Sequence, residues 1–105
     1  MPKLKYGVEI DKVKHFDFEV RAPTIKDNIT AGEIAGMGAS DLAVKAALYA
    51  ECMTKLGTLP KESITYELVG GMIEDEYDLI QAALVDAKKK LLPASSTTET
   101  SDSQP

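Results

Sequence analysis

Cys52 and His15 are the only thiol and the only imidazole in the chain, so they are the one pair with the chemistry of a nucleophile and its base. Such a pair needs a thiolate activated by the base and a third group to orient it. Cys52 falls between Ala50 and Met53 in a helical pattern, where a buried structural thiol is expected, and His15 falls in or near a hairpin turn. The acids Glu74, Asp75, Glu76 and Asp78 could be imagined around a cation, but they lack the alternating oxygen ligands and central Gly of an EF-hand loop. A solvated helix start accounts for them more simply. One Cys and one His cannot build a familiar structural zinc site. Gly70-Gly71 has neither a GxGxxG nor a Walker pattern and no preceding strand, so it reads as a hinge or helix junction. The expectation is a chain with no catalytic, metal or cofactor site.

The elements that must carry these residues follow from hydrophobic periodicity. Leu4, Tyr6, Val8 and Ile10 alternate with polar neighbours, and so do Phe16, Phe18 and Val20, which is the pattern of two half-buried strands. The polar link from Asp11 to His15 predicts an antiparallel hairpin over 3–22. Pro23 ends the second strand, Thr24 caps a helix over about 25–35, and Asp27 sits three residues on in a near capping box. Ser40 caps a second helix over about 41–56, whose stripe is Leu42, Ala46, Tyr49, Met53 and Leu56, with Gly57 as its C-terminal cap. Further helices are expected over 65–70 and 72–91, the last with the stripe Ile73, Tyr77, Ile80, Leu84, Ala87 and Leu91. Its acidic start and its Lys88–Lys90 end suit the helix dipole. Residues 93–105 are polar and predict a disordered tail. The fold class is therefore α+β: one domain over 1–92, an N-terminal antiparallel hairpin followed by three to four helices.

Composition narrows the partners. The formal charge is −5. The first 26 residues carry a small positive excess, while the helical body and the tail are acidic. Phosphate affinity comes from clustered Lys and Arg, so nucleic acid is disfavoured as a partner. With one Cys no internal disulfide can form, the N-terminus lacks a leader pattern, and no apolar run approaches the roughly 20 residues that span a bilayer. A cytoplasmic protein without membrane contact is expected. An isolated hairpin leaves two open strand edges that invite pairing with another chain, which suits an assembly or adaptor role and makes a homo-oligomer a candidate state.

The segment Phe16-Asp-Phe-Glu-Val-Arg21-Ala-Pro23-Thr24-Ile-Lys-Asp27 resembles the signature of the tail assembly chaperones of Mu-like phages and their relatives among contractile-tailed phages. In that family an alternating strand runs into an Arg-x-Pro-Thr-x-x-Asp turn and then an all-helical remainder. Ala43 to Leu59, Ile64 to Leu68 and the helix through Tyr77 and Ile80 resemble its later segments, so the similarity covers roughly residues 4–90. The hairpin link lacks the Gly often seen there, and the polar tail is long. The resemblance implies a cytoplasmic scaffold, absent from the finished tail, that binds the tape-measure protein and helps tube subunits polymerise around it. Many family members are also made as a longer frameshifted product. The motif positions are Phe18, Arg21, Pro23, Thr24 and Asp27. Arg21 is the candidate partner contact, on a polar strand face where it could pair with Asp17, Glu19 or a partner's carboxylate. The competing reading is a small acidic phage or prophage regulator that binds a host or phage DNA-binding protein.

Overall fold

Lys3–Ile10 and Val13–Val20 form strands β1 and β2, an antiparallel hairpin turned by Asp11 and Lys12 alone. Both turn residues have positive φ, 52° and 67°, as a type I′ turn requires. The loop is shorter than the Asp11–His15 link expected, because β2 takes up Val13 to His15. The computed structural model describes residues 2–92, and the tail expected over 93–105 lies outside the described residues. Among the described residues four helices follow the hairpin: α1 (Ile25–Ala35), α2 (Asp41–Cys52), α3 (Tyr66–Gly70) and α4 (Glu76–Lys90). A short 3-10 turn, Lys61–Ser63, lies between α2 and α3. The α+β class with an N-terminal hairpin is as the sequence implied.

The second helix departs from expectation. It stops at Cys52, and Met53–Leu56 continue without a linker as strand β3, antiparallel to β2. The sheet has three strands in the order β1-β2-β3, so β2 is central and has no free edge. Periodicity misled here for a specific reason. The pairing of β3 with β2 is irregular between Val20 and Glu19, so Thr54 is an extra residue. The bulge puts Met53 and Leu56, three apart, on the buried side, and a spacing of three also suits a helix. Gly57 then ends a strand rather than a helix, with φ +57°. The last helix starts at Glu76 and not at 72, leaving Ile73 in the preceding turn and 53% exposed.

The core lies between the sheet and the helices. Phe18, Tyr49, Met53, Leu56 and Ile80 are its largest fully buried apolar side chains. The Tyr49 and Tyr77 rings pack at 5.4 Å between centroids, and the Tyr49 hydroxyl donates to Gln81 Oε1 at 2.5 Å. Burial pushes the Tyr49 phenol above its ordinary value, helped by Tyr77. His15, expected near the turn, is in β2 and buried. Its ring lies against Gly57, where a Cβ would come within 2.1 Å of Nδ1. Phe16 and Tyr6, expected in the apolar strand faces, stand 38% and 40% exposed.

Candidate functional site

Three features are built where these elements meet. The first holds the motif residues. β2 ends at Val20, so Arg21 lies in the connection to α1, and its backbone N–H donates to Cys52 O at 3.0 Å. Leaving the strand turns its side chain toward the start of α1. The guanidinium there makes a two-pronged pair with Asp27, with Nη2 to Oδ1 at 2.9 Å, and Nη2 also reaches Glu51 O at 3.3 Å. The expected partners Asp17 and Glu19 are not the ones used.

Asp27 is buried and closes the capping box. Its Oδ2 accepts from the Thr24 N–H at 2.7 Å and from the Thr24 hydroxyl at 2.9 Å, while the Thr24 hydroxyl accepts from the Asp27 N–H at 3.1 Å. The Arg21 guanidinium, with the Thr24 donors, holds the Asp27 carboxyl well below the usual carboxylate range. Cys52 Sγ lies 3.9 Å from Asp27 Oδ2. Burial, and then this carboxylate, push its thiol up to about 11. It is protonated at neutral pH, and its polar neighbour is Asp27 and not His15. His15 Nδ1 instead accepts from the Thr58 N–H at 3.4 Å. Phe18, another motif residue, is wholly core.

Lys61 completes this knot from the 3-10 turn. Its ammonium donates to Ala50 O at 2.8 Å, Glu51 O at 3.2 Å and Met53 O at 2.8 Å. It therefore satisfies the carbonyls where α2 ends and β3 begins, the end of a helix that favours a cation. Desolvation lowers its pKa from the ordinary lysine value. A lysine ten residues past a helix carbonyl has no sequence signature, and it was missed.

The second feature corrects the reading of the acids at 74–78. Glu76 is not solvated: it is 1% exposed. Its Oε1 accepts from the Lys5 N–H at 2.8 Å, and its Oε2 accepts from the N–H groups of Tyr6 at 3.0 Å and Gly7 at 3.1 Å. The β1–β2 register shifts between Lys3 and Val8, so this stretch of β1 bulges out of the ladder. Gly7 has φ +80°, and consecutive amides curl into a concave nest that the Glu76 carboxylate fills. A Cβ on Gly7 would meet the Phe16 ring at 2.9 Å. Asp75 is also engaged, with the Tyr6 hydroxyl at 3.1 Å and Lys5 Nζ at 3.9 Å.

The third feature is open. A groove of about 650 Å³ runs between α2, the end of α3 and the start of α4. Its apolar lining includes Leu42, Ala46, Tyr49, Met72, Ile73 and Ile80. Leu42 and Ile73 are 62% and 53% exposed. Glu74 and Asp78 stand at its margin. The volume is in the range of about 300–1,000 Å³ typical of binding clefts.

Compared with family models, with curated proteins and with solved structures, the chain matches none. The candidate site therefore rests on its own geometry. Among the described residues no three His, Cys, Asp or Glu side chains are grouped to hold a metal ion, and no helix is long and apolar enough to cross a membrane. The motif residues Arg21, Pro23, Thr24 and Asp27 join β2 to α1, and the 44% exposed Arg21 side chain offers a charged surface to a partner. The groove was not located by the sequence. The four-residue delay in the start of α4 exposes Ile73, and no local signal in 72–75 announces it.

Proposed function

We propose that this protein is a tail assembly chaperone that binds the apolar helical tape-measure protein in the bacterial cytoplasm and delivers it to the assembling tail tube. The observation that carries the reading is the groove between α2, α3 and α4, an apolar cleft with exposed Leu42 and Ile73 on a small α+β domain. A helix laid in such a cleft buries its anchor side chains at helical spacing without any covalent chemistry. Holding an aggregation-prone helix this way keeps it soluble until tube subunits replace the chaperone. The resemblance of residues 4–90 to the chaperones of Mu-like phages supplies the identity of the client and of its tube.

Co-expression with a cognate tape-measure fragment tests the proposal. The fragment, insoluble alone, is expected to stay soluble and co-purify. With both proteins folded, no rescue and no co-purification refutes the reading. Capture of a repressor or another DNA-binding protein in its place would instead establish the regulator.

A further inference from the structure

The groove margin carries one sign of charge. Glu74 lines it from the turn before α4 and Asp78 from the first turn of α4, and Glu67 lines the adjoining hollow between α2 and α3. All three are exposed, and none has an ion-pair partner among the described residues. Among the described residues no lysine or arginine lines either hollow. The neighbouring acids are already used, Asp75 by Lys5 and Tyr6 and Glu76 by the amides of β1. An apolar floor bordered by uncompensated carboxylates attracts an apolar surface bordered by cations.

The chain's own C-terminal stretch does not fit. Residues 93–105 contain two acids, Glu99 and Asp102, with no Lys or Arg and no Leu, Ile, Val, Met or aromatic residue. The geometry points to an amphipathic helix of a second protein, with Lys or Arg flanking its apolar anchors, as the occupant of this groove. The inference rests on the chaperone reading only in that a client would supply the helix. The floor takes apolar side chains at i, i+3 or i+4 and i+7, and the flanking cations reach Glu67, Glu74 and Asp78.

Two labelled synthetic helices with identical leucine anchors, one with Lys flanks and one with Glu flanks, test it by fluorescence anisotropy on the full chain. The Lys-flanked helix is expected to bind about tenfold more tightly, the difference that two or three rim ion pairs supply. The gap should close at about 0.5 M salt, where screening is nearly complete. Ile73→Asp, at an exposed turn position, should abolish binding, with Ile73→Ala as a milder second variant and circular dichroism verifying both folds. The double variant Glu74→Lys, Asp78→Lys should reverse the preference. Equal binding of the two helices, binding of neither, or binding indifferent to Ile73→Asp overturns the inference. So does sedimentation showing that the groove binds the Lys88–Leu92 end of a second copy. Rescue of a tape-measure fragment by the Ile73→Asp protein would leave the chaperone reading standing and remove the groove. A charge-selective helix bound in the groove without fragment rescue would do the reverse.

Discussion

Replacing Glu76 by Gln isolates the buried clasp between α4 and β1, because the side chain keeps its shape and loses its charge and one acceptor oxygen. In the native protein Oε1 serves the Lys5 amide, and Oε2 serves those of Tyr6 and Gly7. A glutamine carbonyl can still accept two of these N–H groups, but its NH2 must face the third, donor against donor. One stranded amide costs about 1–3 kcal/mol, and the remaining bonds lose the strength that a charged acceptor gives. Lys5 and Tyr6 are exposed residues, so water relieves part of the loss. The expected loss for Glu76→Gln is about 2–3 kcal/mol, and for Glu76→Ala about 3–5 kcal/mol because all three donors are stranded. At this size 2–3 kcal/mol corresponds to a fall in Tm of about 10–20 °C. Urea unfolding followed by circular dichroism at pH 7 gives the free energy, and amide exchange at Lys5, Tyr6 and Gly7 gives its location. A Glu76→Gln protein within about 0.5 kcal/mol of wild type, with those amides still protected, would refute the reasoning.

Arg21→Ala should cost about 1.5–3 kcal/mol at pH 7, since a half-exposed arginine leaves behind a buried carboxylate. Because the folded Asp27 carboxyl titrates below the unfolded value of about 3.9, its contribution is present above that pH and is lost as pH falls toward the folded value. Urea titrations at descending pH should therefore show a steeper acid loss in wild type than in Asp27→Asn, and equal slopes would contradict the pair. Gly57→Ala should destabilise by more than about 2 kcal/mol, because its Cβ meets the His15 ring at a positive φ. Gly32→Ala, with nothing within 4 Å inside α1, should stabilise by about 0.5–1 kcal/mol, and melting curves decide both signs. The Cys52 thiol, buried and raised to about 11, should resist a thiol reagent in the native protein and react promptly in denaturant; rapid native labelling would show that the site opens locally.

Much of the architecture was legible because local signals agreed with one another. Thr24, Asp27 and Pro23 marked the start of α1 to the residue, and Ser40 caps α2 as its type implied, whereas Thr65, expected inside the third helix, is its cap. Cys52 could be read as buried from its place in an apolar helix. The misreadings share a cause in backbone irregularity. The extra residue at Thr54 gave a strand the spacing of a helix, and the bulge in β1 hid the demand for an acceptor that Glu76 meets. A glutamate at a helix start has the same sequence signature whether it faces water or a strand. Arg21 was found as a notable cation, but its partner depends on where β2 ends. Lys61 and the groove floor come from loops whose course only the packed chain decides.

The clasp has a consequence for synthesis. Glu76 and the amides it holds are 69 to 71 positions apart, so β1 leaves the ribosome long before its acceptor exists. At roughly 5–20 residues per second the interval is about 4–14 s. Throughout it the nascent strand carries three adjacent N–H donors with no internal acceptor, and neighbouring chains on one message present the same strand at high local concentration. Those seconds are the period when edge-to-edge pairing between nascent chains competes with native closure, and the arrival of α4 ends it.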